Sequence, residues 1–278
     1  MGWHGRLDLR YRRDGDRTVG HDRHEGPLRV LASLYPEGDR VCHHVLVHPP
    51  GGIVGGDTLH VDAQLAAGAH ALITTPGATR FYRSAGEPAA QVVDARVGDD
   101  ARLEWLPLET LVHPGALAEN RMRFTLDARA EMIGWDVLAL GLPASGEPFE
   151  GKPGRYAQCI ELPGVWLERG CIDAADARLL NSPLGFAGQR VLATLWFAAG
   201  APLPDARRHA LLESARSVAP TDSPALRTGT TSSHAQVVTL RALAPRVEPA
   251  MALLTRVWSQ WRRLAWDLSA STPRIWRT

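Results

Sequence analysis

Between about residues 26 and 200, apolar residues alternate with polar ones in short runs that Gly, Pro and Asp interrupt. Such alternation places one set of side chains on a buried face and the other on the opposite face, as in half-buried β-strands. Turn residues between the runs mark the strand ends. We therefore expect strands in RVLASLYP, VCHHVLVHP, TLHVDAQL, HALITTP, AQVVDARV and ARLEWLP.

An internal repeat runs through this stretch. The tripeptides Val61–Ala63, Val93–Ala95 and Leu126–Ala128 recur at spacings of 32 and 33 residues, each before a turn and another apolar run. A period of this length is typical of stacked supersecondary units, none of which buries its apolar face alone. Chance similarity between the strands of a β-meander is the alternative. Both interpretations predict an all-β fold for this half.

After residue 200 the spacing of apolar residues becomes helical. Asp205–Pro220 has an aspartate cap candidate and leucines at helical spacing, and predicts a helix. Thr221–Gln236 is polar and predicts a loop. A second helix is expected over Val247–Leu268. Its apolar face would carry Leu254, Trp258, Trp261 and Trp266, which leaves Arg256, Arg262 and Arg263 for solvent or a partner.

Together these patterns predict one mainly β domain over residues 1–278 with a stacked, solenoid-like body. Residues 1–25 are polar and are expected to form a flexible N-terminal segment, and residues 26–200 the repetitive β body. Residues 201–278 would form a package of about two helices, with a C-terminal strand, against that body.

Composition excludes several classes of protein. The formal net charge of +1 gives no electrostatic reason to expect nucleic acid or an anionic membrane as a partner. Three dispersed cysteines, Cys42, Cys159 and Cys171, do not form a disulfide framework or a usual zinc motif. The polar N-terminus lacks the apolar core of a signal peptide, and no apolar run approaches the length of a membrane span. We expect a cytoplasmic protein.

The segment HPPGGIVGGD (His48–Asp57) raises the question of phosphate binding. A P-loop needs a lysine and a Ser or Thr after its glycines, whereas here Asp57 follows and would repel phosphate. A dinucleotide fingerprint lies between a strand and a helix, whereas this segment leads into alternating β residues. The prolines end a strand and the glycines permit a tight reversal. The role of Asp57 is left open by that explanation.

Two groups of side chains suggest metal binding or catalysis. Cys42, His44 and His48 fall on one face of a strand and His43 on the other, which makes His44 and His48 loose metal-ligand candidates. Several carboxylates and tryptophans could instead form a sugar-binding groove with an acid pair, although solvated acids and core tryptophans are commoner. The acids are Glu104, Glu109, Asp136, Glu147 and Glu168, and the tryptophans are Trp105, Trp135, Trp166 and Trp196.

Five stretches carry a family resemblance: HPPGGIVGGDTL, GAHALITTPGATRFYRS, ARLEWLPLETLVHPGA, GWDVLALGLPASGE and the terminal PRIWRT. Together they resemble the urease accessory protein family UreD, called UreH in some bacteria, and they span residues 40–278. The combination of GGxVGGD with TTPxxx[KR]xYRS is long and specific. Arg80 stands where lysine is common, His113 where an aromatic residue is usual, and ASTPRIW replaces a cysteine–proline form.

The resemblance implies a non-enzymatic scaffold and chaperone of urease maturation. Such a protein would dock on apo-urease together with UreF and the GTPase UreG, and the accessory complex would allow a dimer. Nickel would be in transit along a water-filled internal passage, and no cofactor would be tightly bound. The alternative is a β-solenoid enzyme that acts on a carbohydrate through a carboxylate pair.

Motif positions then suggest which residues line the passage. Ni²⁺ accepts carboxylate and imidazole ligands, and transport requires sites weak enough to release the ion. Asp57, Asp136 and Glu168 are the candidates for transient nickel contacts. Lining or charge balance is expected from Thr74, Thr75 and Arg83.

Overall fold

A computed structural model describes residues 2–219 and 226–277 of the chain, which form two large β-sheets stacked on each other. Two longer helices cover the outer side of the second sheet, and short 3-10 turns lie at residues 143–145, 149–151 and 274–277. The helices are α1 (Ala177–Asn181), α2 (Asp205–Val218) and α3 (Val247–Trp266). The strands are β1 (His4–Asp14), β2 (Arg17–Glu25), β3 (Arg29–Leu34), β4 (Cys42–Val47), β5 (Thr58–Leu65), β6 (His70–Thr74), β7 (Thr79–Phe81), β8 (Ala89–Val97), β9 (Arg102–Trp105), β10 (Thr110–Val112), β11 (Leu117–Leu126), β12 (Glu131–Leu140), β13 (Arg155–Leu162), β14 (Trp166–Asp173), β15 (Val191–Ala199), β16 (Arg227–His234) and β17 (Val237–Ala244).

The centre of the molecule is a parallel coil in which each turn gives one strand to each sheet. Strands β5, β8 and β11 stack in parallel in the first sheet, and β6, β9 and β12 do so in the second. A narrow third side forms where β7 and β10 pair with the end of β12, and Ile53 bridges to Phe81. The mainly β, solenoid-like body is therefore confirmed.

The structure places two of the three repeated tripeptides in register with each other. Val61–Ala63 of β5 stands directly beside Val93–Ala95 of β8, as predicted. The third tripeptide, Leu126–Ala128, is not in register with the other two. Val93–Ala95 stands beside Met122–Phe124 of β11, and Leu126 pairs with Val97. The error is a shift by four positions along the strand. An even shift keeps the same side chains facing inward, so alternation alone could not detect it.

The expected flexible N-terminal segment is instead a β-hairpin. Strand β1 adds in parallel to β5 and pairs with β2, which extends the first sheet. Leu7, Leu9 and Tyr11 are buried on the inner face of β1. The arginines and aspartates that made this segment look polar occupy the outer face, where alternation in a sheet places them.

The C-terminal region contains both expected helices and a hairpin between them. Helix α2 ends at Val218 and α3 at Trp266, close to the predicted bounds. The predicted loop is wrong over Arg227–His234, which forms edge strand β16, and residues 221–225 of that prediction lie outside the described residues, as does residue 220 of the helix prediction. The threonine-rich strand β16 is half exposed, so it carries no apolar alternation that would reveal it.

Two apolar clusters form the core. One lies between the two sheets, and the other lies between the second sheet and helices α2 and α3. Strand β12 serves both, with Met132 and Leu138 facing the first cluster and Trp135 facing the second. The four strand tryptophans are buried core residues, as the commoner interpretation held. Within residues 2–219 and 226–277, no helix combines the length and apolarity needed to cross a membrane.

On helix α3, Trp258, Trp261 and Trp266 are buried as predicted, together with Leu254. Arg262, however, was expected at the surface and is completely buried. It contacts carboxylates of the β body, so its burial follows from charge pairing that helical periodicity cannot show.

Candidate functional site

A row of polar side chains crosses the apolar space between the sheets. At its centre Asp136 of β12 is 4% exposed, and its Oδ1 accepts a 3.2 Å hydrogen bond from Asn120 Nδ2 of β11. Asp136 Oδ2 accepts another from Gln158 Nε2 of β13. Asn120 in turn accepts a 3.4 Å hydrogen bond at its Oδ1 from Gln91 Nε2 of β8. These inward-facing groups thus link three strands of the first sheet to β12 of the second.

The row continues from Asp136 towards the edge of the second sheet. Thr194 stands beside Asp136 in the β12–β15 register, and Arg241 stands beside Thr194 in the β15–β17 register. Glu168 of β14 joins them, since its Oε1 accepts from Thr194 Oγ1 at 3.2 Å and its Oε2 from Arg241 Nε at 3.0 Å. We call the seven residues the polar row: Gln91, Asn120, Asp136, Gln158, Glu168, Thr194 and Arg241.

Among the described residues, Asp136 forms no ion pair with a cationic side chain. Burial raises its pKa to about 7, and the charge of Glu168 acts in the same direction. The hydrogen bond from Gln158 opposes the shift without cancelling it. The carboxyl at the centre of the row is therefore held by neutral amides, and it changes charge near neutral pH.

Two indole groups of the same interior lack hydrogen-bond partners. The Nε1 atoms of Trp105 and Trp196 are buried and bond to none of the described residues. Unpaired buried donors are rare, because each forfeits its hydration without compensation. Such donors are typical of interiors that admit water or a polar ligand.

The polar row runs between two cavities. Gln91 and Trp105 line a cavity of about 260 Å³, whose wall also includes His48, Gly51 and Gly52 and the Thr75–Arg80 segment. Both family-like motifs therefore meet around one cavity. At the other end Arg241 lines a cavity of about 390 Å³ with an apolar wall that includes Phe186 and Leu243.

Asp57 lies outside the polar row, at the turn that its glycines make. Its Oδ1 accepts from the backbone N–H of Trp3 at 2.8 Å and its Oδ2 from that of Val54 at 3.1 Å. Gly56 has φ +91°, which favours glycine, and a Cβ on Gly52 would overlap the Tyr82 ring. Asp57 therefore fastens the N-terminal strand to the turn, which explains the aspartate that sequence reasoning left open.

The threonine and arginine candidates are placed differently from one another. Thr75 lies in the wall of the 260 Å³ cavity. Thr74 is buried, donates to Leu106 O at 2.6 Å and accepts from Trp276 Nε1 at 2.8 Å, so it anchors the C-terminal tail. Arg83 is exposed and lies against Gly115. None of the three belongs to the polar row.

The two histidine candidates do not share a site. His44 is buried, with Nδ1 2.8 Å from Tyr11 Oη and Nε2 2.8 Å from Ser33 Oγ, and burial lowers its pKa to about 4. His48 follows the end of β4 and lines the 260 Å³ cavity. Among the described residues, no group of three or more His, Cys, Asp or Glu side chains is arranged to hold a metal ion.

Sequence reasoning missed most of the polar row. Asn120 and Gln158 occupy inward positions of strands that otherwise alternate apolar-in and polar-out. A polar amide at such a position is the signal that could have found both residues. Thr194 and Arg241 carry no comparable signal, since their strands lie in the middle of the second sheet and are apolar on both faces.

Comparison with known proteins places the chain in a family. The family model described as UreD urease accessory protein matches residues 4–277. The urease accessory protein UreD of Leptothrix cholodnii is 61% identical over 280 residues and 100% of both chains. Those of Variovorax paradoxus and Paracidovorax citrulli are each 58% identical, over 100% and 99% of both chains. The chain belongs to the UreD family of urease accessory proteins and has a role in urease maturation.

Proposed function

We propose that this chain is a non-enzymatic scaffold and chaperone that docks on apo-urease with UreF and the GTPase UreG, and conducts nickel through its interior. The observation that carries the conduction is the polar row, which joins two cavities across an otherwise apolar core. A polar line through a core is costly to bury, so it favours a functional explanation over a structural one.

The chemistry of the row suits a passing divalent cation. Ni²⁺ takes oxygen and imidazole ligands, and transit requires contacts that release the ion again. Asp136 and Glu168 supply carboxylates, and the side-chain carbonyl oxygens of Asn120 and Gln158 beside Asp136 supply neutral ligands. Such dispersed oxygen groups bind more weakly than a closed site of three or four ligands, which is what transit needs.

The carbohydrate enzyme is less well supported. A glycosidase needs two carboxyl groups that flank a sugar in an open groove. Asp136 is instead buried between the sheets, and Glu168 is already paired with Arg241. The name of the family, an accessory protein, also favours a non-catalytic role.

The test is reconstitution of urease activation with two variants of the row. Asp136→Asn removes the central charge, and Asn120→Leu replaces the amide beside it by an apolar group of similar size. We expect each to lower the nickel content of urease several-fold while the chain still co-purifies with UreF, UreG and apo-urease. The matched control is Asp94→Asn, since Asp94 lies on the outer face with its side chain 41% exposed.

Nickel content and complex formation report on separate parts of the proposal. Normal nickel content with both row variants would show that the ion takes another route. Failure of the unaltered chain to associate with UreF, UreG or apo-urease would contradict the scaffold role. An Asp94→Asn variant as defective as Asp136→Asn would show that the loss does not depend on the polar row.

A further inference from the structure

Positive charge is concentrated near the C-terminal end of the chain. Between residues 249 and 277 the sequence has five arginines and one acidic residue, Asp267, whereas the whole chain has a formal net charge of only +1. One of the five, Arg262, is buried and contacts carboxylates of the β body. The other four are exposed: Arg256, Arg263, Arg274 and Arg277. The average charge of the chain therefore does not reveal a local excess of cations.

Two of the exposed arginines share a face of helix α3. Arg256 and Arg263 are seven residues apart, or about two turns, so their side chains leave the helix in nearly the same direction, roughly 10 Å apart along its axis. The buried side chains of Trp258 and Trp261 leave it on the opposite side. Leu264 follows Arg263 and is 49% exposed. Helix α3 therefore presents two cations and a large apolar side chain at the surface.

The tail that follows α3 brings the other two arginines back beside this helix. Arg262 Nη1 donates a 2.7 Å hydrogen bond to Ser269 O, just beyond the end of α3. Further along the tail, the ring of Trp276 packs on that of Trp258, with 5.7 Å between their centroids. The two tail arginines stand two residues before Trp276 and one after it, so they lie near the same two turns of α3. We call the four exposed arginines the basic patch.

The basic patch is not compensated within the described part of the chain. None of its arginines forms an ion pair with a described residue, and neither does Asp267. Other exposed arginines do have acidic partners, as Arg121 has in Glu119 and Arg129 in Asp100. Like charges held this close repel each other, and an anionic partner would replace that repulsion by attraction.

The chemistry of the basic patch favours an acidic protein over nucleic acid. Its cations are all arginines, whose paired N–H groups match carboxylates. The exposed Leu264 beside them suits a partner that also offers an apolar contact, as protein interfaces do. Nucleic-acid-binding domains are usually basic overall, whereas this chain is close to neutral. We propose that the basic patch docks an acidic surface of a protein partner.

This docking surface goes beyond nickel conduction and does not depend on it. The basic patch lies on the outer side of α3, whereas the polar row lies between and along the two sheets. Binding of an acidic probe to the isolated chain can therefore succeed or fail whatever route nickel takes.

The experiment measures binding of a fluorescein-labelled acidic peptide, made of glutamate and leucine, to the full chain by fluorescence anisotropy. We expect saturable binding at low salt that weakens as salt rises, because exposed charge pairs are screened. Replacement of all four arginines of the basic patch by glutamine should weaken binding roughly tenfold or more, since several charge pairs are lost together. The four side chains are exposed, so the substitutions should leave the fold intact.

The matched control removes the same net charge elsewhere on the surface, by replacing four paired arginines with glutamine. These are Arg6, Arg12, Arg121 and Arg129. The control variant should bind the peptide like the unaltered chain. Absence of binding by the unaltered chain would overturn the proposal, and so would equal weakening in the two variants. Tighter binding of a thymidine oligonucleotide than of the peptide would assign the basic patch to nucleic acid and overturn it as well.

Discussion

Glu104 and Asp136 are two fully buried carboxyl groups on neighbouring strands of the same sheet, and their surroundings are opposite. Glu104 of β9 contacts Arg262 of helix α3 and His70 of β6. Asp136 of β12 faces the first sheet, where the side-chain amides of Asn120 and Gln158 donate hydrogen bonds to it. The pKa of Glu104 is lowered, whereas that of Asp136 is raised to about 7. Burial alone therefore does not decide the charge of an acid; its partners do.

The partners of Glu104 form a connected ionic network. Burial opposes its ionisation, but the 2.7 Å hydrogen bond from His70 Nε2 and the charge of Arg262 outweigh that effect. Arg262 Nε lies 3.2 Å from Glu104 Oε2 as an ion pair, and its other nitrogen binds Glu37 at 2.7 Å. Glu37 in turn binds His43 at 2.6 Å. The network fastens α3 to three separate segments of the β body.

The contrast between Glu104 and Asp136 distinguishes a structural ionic network from a candidate functional site. Each member of the ionic network has a partner of opposite charge or a directed hydrogen bond, which is how buried charges are held in place. In the polar row Asp136 forms no ion pair with a described residue, and beside the row the indole Nε1 atoms of Trp105 and Trp196 have no acceptor among the described residues. Incomplete polar interiors are typical of sites that act on something else.

The largest expected effect comes from breaking the ionic network. Arg262→Met keeps an unbranched apolar stem and leaves Glu104 and Glu37 without their shared cation. Removal of one partner of a buried ion pair costs roughly 3–5 kcal/mol of the free energy of unfolding. Urea denaturation at neutral pH measures that loss.

Arg263 is the matched control for this prediction, because it follows Arg262 on α3 and is exposed. Arg263→Met should change the free energy of unfolding by less than about 0.5 kcal/mol. Equal stability of the Arg262 and Arg263 variants would show that the ionic network does not stabilise the fold, and the contrast with Asp136 would lose its basis.

The second-largest expected effect is a pH dependence of the free energy of unfolding that arises from Asp136. Because its folded pKa of about 7 exceeds the ordinary 3.8, the stability that its protonated form contributes is full below pH 3.8 and is lost as pH rises towards 7. Asp136→Asn has no such ionisation. Relative to the variant, the unaltered chain should therefore lose roughly 2–3 kcal/mol of the free energy of unfolding between pH 5 and pH 8.

Denaturation curves of the unaltered chain and of Asp136→Asn across this pH range give the difference between their free energies of unfolding. All other titrating groups are common to both proteins, so their contributions cancel in that difference. Asp62→Asn serves as the control, since it makes the same substitution on the outer face of the first sheet, where Asp62 forms an ion pair with Arg10. A constant difference between the unaltered chain and Asp136→Asn would mean that Asp136 is ionised normally and that the polar row supplies a counter-charge after all.

Sequence patterns predicted the part of this molecule that rests on apolar burial. The alternation that gave the strands and the helical spacing of Trp258 and Trp261 both report on which face is buried. The same patterns misplaced Arg262, because they assign every charged residue to solvent. They also passed over Asn120 and Gln158, whose polar side chains point inward.

Sequence motifs predicted only part of the candidate site, for a related reason. Asp136 and Glu168 were proposed from motif positions, and they lie in one polar row. Asp57 was proposed on the same grounds and lies outside that row, where its carboxylate accepts hydrogen bonds from two backbone N–H groups at a turn. A motif shows that a residue type is needed at a position, whereas only the three-dimensional pairing of its oxygens distinguishes a cap from an interior group.

The smallest expected effect tests the end of the polar row. Arg241 binds Glu168 much as Arg262 binds Glu104, but the side chain of Arg241 is 40% exposed and that of Glu168 is 18% exposed. Solvent screens such a pair, so Arg241→Gln should lower the free energy of unfolding by no more than about 1 kcal/mol. The same denaturation assay that is used for Arg262→Met measures it. A loss as large as that of Arg262→Met would place Glu168 in a closed structural network, and Glu168 would then not be free to contact a passing cation. A small loss of stability would support the distinction between the polar row and the ionic network. It would mean that Arg241 can leave Glu168 at little cost in free energy, whereas Arg262 cannot leave Glu104.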